Sequence, residues 1–126
     1  MPFDWLEYLR LAQNLAANGD EASKRTAISR AYYFIFNLAY VRAETNCGPK
    51  PSGAGFHEWC WDRYRSNADA ACSAIGVQGD RLKWRRVQVD YKNQDIRRLD
   101  EACNITILDV QQLHAELAAL NPALPT

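Results

Sequence analysis

The sequence predicts an all-α protein, an up-and-down bundle of four main helices with one or two short ones, forming a single domain over residues 1–126. Three observations predict it. Apolar residues recur at helical rather than strand spacing along most of the chain. Breakers such as Asn18-Gly19, Gly48-Pro49 and Asn121-Pro122 divide it into segments of helical length. Every position from Ala31 to Val41 is apolar or aromatic except Asn37, as expected of a helix covered on all sides.

The first helix is expected over residues 4–18. Asp4 and Glu7 have the residue types and spacing of a capping box, and Trp5, Tyr8, Leu9, Ala12, Leu15 and Ala16 follow at helical intervals. Asp20 caps the second helix, and no breaker appears before Asn46, so it runs for about 25 residues, or roughly 37 Å. Ile28, Tyr32, Ile35 and Ala39 form one apolar stripe on it, and Phe34, Leu38 and Val41 a second. This makes it the central helix, with the others laid around it. Residues 47–55 are rich in Gly and Pro and read as an exposed, mobile loop. A helix follows from Phe56 to about Arg65, with Phe56, Trp59, Cys60 and Tyr64 on its apolar side. A short Ala-rich helix is expected from Asn67 to Ile75, ending at Gly76. Another begins at Asp80, with Leu82, Val87 and Trp84 turned inward. Val87 to Tyr91 alternates as a strand would, but a lone strand has nothing to pair with. The last helix opens at Asn93 or Gln94, carries Ile96, Leu99, Cys103, Ile107, Val110, Leu113, Leu117 and Leu120 inward, and stops at Asn121-Pro122, leaving a short tail.

A chain of 126 residues suits one hydrophobic core. Fifteen Lys and Arg balance fifteen Asp and Glu, so net charge points to no partner and only local clustering can. No apolar run is long enough to span a bilayer, and the N-terminus lacks a secretory pattern, so no membrane association is expected. Cys47, Cys60, Cys72 and Cys103 are widely spaced and read as free thiols of a cytoplasmic protein. His57 and Cys60 lie three apart, but two ligands do not close a zinc site, so no metal is expected. The Gly-rich loop has no Lys-Ser/Thr after it and no strand before it, so no nucleotide cofactor loop is expected either. His114, beside Leu113, reads as a packing residue. Ser29 and the cysteines have no base at local spacing.

Charge does cluster between residues 81 and 98. Arg81, Lys83, Arg85, Arg86, Lys92, Arg97 and Arg98 stand against Asp90 and Asp95, giving +5 there and −5 elsewhere. Such a stretch suits RNA or nucleotide phosphates, with Trp84 and Tyr91 available for stacking. It suits equally a solvated helix face laced with ion pairs, and an Arg86–Asp90 pair at i,i+4 is one way to hold such a helix.

Two motifs add to this. Ser29-Arg30-Ala31-Tyr32-Tyr33-x-x-Phe36 and, later, Leu82-x-x-Arg85-Arg86-x-x-Val89-Asp90-Tyr91 together resemble the HEPN superfamily, in its small stand-alone members. The resemblance covers roughly residues 5–120 and extends to the long final helix. It implies a helical bundle that forms a homodimer around the Arg segment and an association with RNA cleavage or nucleotide binding. It also implies a toxin or defence role, or partnership with a small nucleotidyltransferase acting as antitoxin. In active members an Arg that holds the scissile phosphate is followed at short spacing by a His. Arg86 matches that Arg, but Tyr91 stands where the His is expected, after four intervening residues. Asn37 replaces a His common after the first motif, and Val89 stands where Ala is usual. A phenol is a poor general base near neutral pH. The resemblance therefore implies Arg86, Asp90 and Tyr91 as the phosphate-binding or catalytic group, with Arg30, Arg81, Lys83, Arg85 and Lys92 as nucleic-acid contacts. Arg30 is expected to support Asp90 or to touch ligand. The alternative is a catalytically inactive module that docks a nucleotidyltransferase or another protein.

Overall fold

The computed structural model describes residues 2–93, 95–96 and 98–126. Among them all regular structure is helical: α1 (Leu6–Ala16), α2 (Glu21–Cys47), α3 (Phe56–Arg65), α4 (Ala70–Tyr91) and α5 (Leu99–Ala119). Gln94, one of the two expected starts of the last helix, and Arg97, one of the cations of the basic stretch, lie outside the described residues.

The 27-residue α2 is the centre of the bundle and packs against each of the other four helices. Asp20 caps it as its sequence predicts, taking the Ser23 backbone N–H at 2.8 Å. Ile28, Tyr32, Ile35 and Ala39 face one way and Phe34 another, all buried. Val41 departs from the expected second stripe and is 55% exposed, because no neighbouring helix covers that end of the stripe. On α1, Asp4 bonds the Leu6 N–H at 3.0 Å, but Trp5 already has helical angles and stands as the N-cap, so the helix starts later than expected.

Helix α4 corrects the sequence reading most. The short helix expected to end at Gly76 and the one expected to begin at Asp80 are one continuous 22-residue helix, capped by Asp69. Its two glycines are places of close approach, not breaks. A Cβ on Gly76 would collide with the Arg65 backbone, and one on Gly79 with the Trp61 ring. The missing side chains let α3 lie close against α4, and Trp61 becomes one of the largest fully buried residues. Phe56, expected inward on α3, is instead exposed beneath the Lys50 ammonium, 4.6 Å from its ring centroid. The same Lys50 bonds the Pro51 and Ala54 carbonyls, so the Gly-rich loop is tied to itself.

Helix α5 begins at Leu99, later than expected, and buries Cys103, Ile107, Val110, Leu113 and Leu117 as the sequence predicts. The tail beyond it is held. Arg42 of α2 donates to the carbonyls of Leu117, Leu120, Asn121 and Leu124, satisfying groups that a helix C-terminus leaves orphaned. Among the described residues no helix is long and apolar enough to cross a membrane, all four thiols are free, and no cluster of metal-ligating side chains occurs.

Candidate anion site around Arg86

The continuity of α4 sets the phase of its inner face. Cys72, Ile75, Gly76, Gly79, Leu82, Arg86 and Val89 form its buried line. Arg86 thus occupies a core position in place of an apolar side chain, and is only 7% exposed. Val87, expected inward, is half-buried beside it, and Trp84 is 55% exposed rather than packed.

The Arg86 guanidinium lies in a box of phenol rings. Its carbon is 5.6 Å from the Tyr32 ring centroid, 5.5 Å from Tyr33 and 5.4 Å from Tyr91. Nη1 donates long hydrogen bonds to the Tyr33 and Tyr91 hydroxyls, at 3.4 and 3.3 Å. Nε is buried and has no acceptor among the described residues. Among the described residues Arg86 has no carboxylate partner: the Arg86–Asp90 pair that the i,i+4 spacing allows is not formed, and Asp90 Oδ2 instead accepts from the buried Ser29 hydroxyl at 3.0 Å. Cation–π contacts stabilise by about 0.5–2 kcal/mol each, and a buried donor without an acceptor costs about 1–3 kcal/mol. A guanidinium keeps its charge at any physiological pH, so this is a buried cation only partly compensated.

The remaining positions of the first motif serve the same end of α4. Ser29 ties it to α2 through Asp90. Arg25 continues the connection, donating to the Val89 and Lys92 carbonyls at 3.2 and 2.8 Å. Of the two roles expected of Arg30, support of Asp90 is not made among the described residues. The Arg30 guanidinium packs on the Tyr8 and Tyr33 rings, so Tyr33 carries one cation at 5.0 Å and another, Arg86, at 5.5 Å.

The chain matches no family model, no curated protein and no solved structure. Within the site, a second ring system approaches from α3. His57 Nδ1 lies 2.7 Å from the Tyr32 hydroxyl, and Trp61 Nε1–H donates to that same oxygen at 3.0 Å. The imidazole stacks on Phe36 with centroids 4.1 Å apart. Burial, with the positive charges of Arg86 and Lys83, pushes the His57 imidazole down from 6.5 to about 4. Burial raises the Tyr32 phenol well above its ordinary range, so it stays protonated.

The structure brings Arg86, Tyr91 and Arg30 to one aromatic cluster and sets Asp90 at its edge. It spreads the other expected contacts out. Arg85 forms a 2.6 Å ion pair with Asp109 of α5. Lys83 pairs with Asp80 and lies over Trp84. Arg81 and Lys92 are exposed. Two carboxylates therefore already neutralise part of the basic face. Sequence reasoning missed Tyr33, Tyr32 and His57 as members of the site. The two tyrosines were visible as part of a core helix, and His57 as half of a metal pair, but only folding brings α3 to them.

Proposed function

We propose that this chain is a HEPN-like domain that binds phosphate groups of RNA or of a nucleotide through Arg86, as a homodimer in the cytoplasm. One observation carries the reading: an arginine nine-tenths buried in the bundle, boxed by rings and, among the described residues, with no carboxylate partner. An arginine kept where an apolar side chain would pack at lower cost is suited to an anion that arrives from outside. Two further facts support it. The two motifs of the HEPN resemblance are linked side chain to side chain, Ser29 to Asp90 and Tyr33 to Arg86. Tyr91, the last residue of α4, is 69% exposed while its hydroxyl accepts from Arg86. Rotation of that one ring opens the guanidinium to a ligand, and a phosphate oxygen replaces the phenol as acceptor. Asp90 holds the helix end, Arg30 adds positive potential through Tyr33, and the exposed Arg81 and Lys92 extend the track for a strand.

The reading is one of binding, with RNA cleavage in a toxin or defence role as its enzymatic extension. Fluorescence anisotropy with a single-stranded RNA should show affinity that falls with salt. Arg86→Ala should weaken it about 10- to 100-fold, the worth of a charge-assisted hydrogen bond. Affinity unchanged in that variant would remove Arg86 from the account. Sedimentation of the free protein tests the dimer, which a purely monomeric species would exclude.

A second reading, an inactive module that docks a nucleotidyltransferase, is favoured by the exposed Trp84 and Val77 on the outer side of α4. Robust ribonuclease activity of the isolated chain would exclude it.

A further inference from the structure

The position of His57 is not used by the Arg86 reading, yet its chemistry is tightly fixed. An indole N–H can only donate, so the Tyr32 oxygen is the acceptor of the Trp61 bond. The Tyr32 proton then has one place to go, the Nδ1 of His57 at 2.7 Å. Nδ1 is therefore an acceptor, and the single proton of the neutral ring lies on Nε2. Stacking on Phe36 holds the ring plane. Among the described residues nothing accepts from Nε2.

His57 and Arg86 each lie against the same two phenol rings. The imidazole centroid is 5.6 Å from Tyr32 and 5.9 Å from Tyr33, and the guanidinium carbon is 5.6 and 5.5 Å from the same rings. The groups facing His57 are the phenols Tyr32 and Tyr33 from α2 and the cations Arg86 and Lys83 from α4, the latter paired with Asp80. A half-buried N–H donor, near the buried Arg86 guanidinium and with no protein acceptor among the described residues, is placed to receive an anion.

We propose that His57 is the second arm of the Arg86 site, donating from Nε2 to an oxygen of the phosphodiester that Arg86 holds, with Tyr32 and Trp61 as positioning residues. This rests on the reading of Arg86 as an anion binder. A neutral imidazole supplies a directed donor without adding a third charge to the cluster. When the phosphodiester arrives, its negative charge offsets Arg86 and Lys83, and protonation of His57 becomes easier.

The test uses a short oligouridylate, whose diester charge is constant across the pH range. The chain holds two histidines, His57 and His114, so NMR resolves both imidazoles, and His57→Asn assigns them. In the free protein His57 should titrate near 4, and RNA should raise that midpoint by about one unit, as a neighbouring opposite charge does. A His57 midpoint that does not move with RNA overturns the proposal, and the titration itself is run on the wild-type chain. Two variants separate donor from scaffold. His57→Gln places an amide N–H near the Nε2 position; His57→Asn keeps an acceptor for Tyr32 and lacks the donor. Binding by His57→Asn should fall about 10-fold while His57→Gln keeps most of it. The reverse order, or equal loss in both, assigns His57 to packing and overturns the donor role. If Arg86→Ala weakens RNA binding and His57→Asn does not, this inference fails while the Arg86 reading stands. If neither variant weakens it, both fail.

Discussion

The chemistry of this protein turns on single side chains placed against the usual rule. Arg86 stands in the apolar line of α4, and its burial is a cost to the fold. Replacing it by Met, of similar length and without charge, should leave thermal stability equal or raised, since apolar replacement of buried charge is often neutral or better. A marked fall in melting temperature for Arg86→Met would instead make Arg86 a structural pin. His57 gives a second prediction, with its sign fixed by the direction of its shift. The folded imidazole is held at about 4 against an ordinary 6.5. Above pH 6.5 it is neutral in both states. As pH falls from there towards 4, the unfolded chain takes up a proton that the folded chain refuses, so stability declines over that window. His57→Gln should flatten the part of this decline that comes from His57, read as urea midpoints at pH 7 and pH 5.

Among the elements, α4 shows how a glycine can be misread. Gly76 and Gly79 carry the local signal of a helix end, and the helix runs through both. What they provide is room: the α3 backbone at Arg65 fills the place of one Cβ and the Trp61 ring the other. Alanine at either position would gain about 1 kcal/mol of intrinsic helix propensity. Overpacking should outweigh that gain, at about 1–3 kcal/mol. Both Gly76→Ala and Gly79→Ala are therefore expected to melt below the wild type. Gly76→Ala should be the worse of the two, because a backbone cannot rotate away as a ring can shift. Breaking the helix at these glycines also loses its phase. Once α4 is continuous from Ala70, the spacing Cys72, Ile75, Gly79, Leu82, Arg86, Val89 names Arg86 as an inward residue from sequence alone.

On the scale of the whole molecule, α2 is an axis against which all other helices pack, and two of its arginines fasten distant ends to it. Arg25 holds the end of α4, and Arg42 gathers four carbonyls from the end of α5 and the tail. Arg42→Met should lower unfolding free energy by about 2–3 kcal/mol through orphaned carbonyls. Arg42→Lys should not restore it, because an ammonium lacks the planar fork that reaches several acceptors at once. Chemical denaturation measures both, and hydrogen exchange at residues 120–124 should rise in each variant.

The sequence by itself determined the helical class, the central place of α2 and the inward stripe of α5, because these follow from periodic burial and local caps. The two motifs that converge stand out through their resemblance to a known family, beside polar residues such as Arg30 and Asn37 that a core helix does not need. Only the tertiary structure decided that the glycines of α4 are contacts, that Arg42 binds the tail, and that His57 joins Tyr32 and Arg86. Those facts depend on which helices lie side by side, and no local run of residues encodes the approach of α3 to α2 and α4.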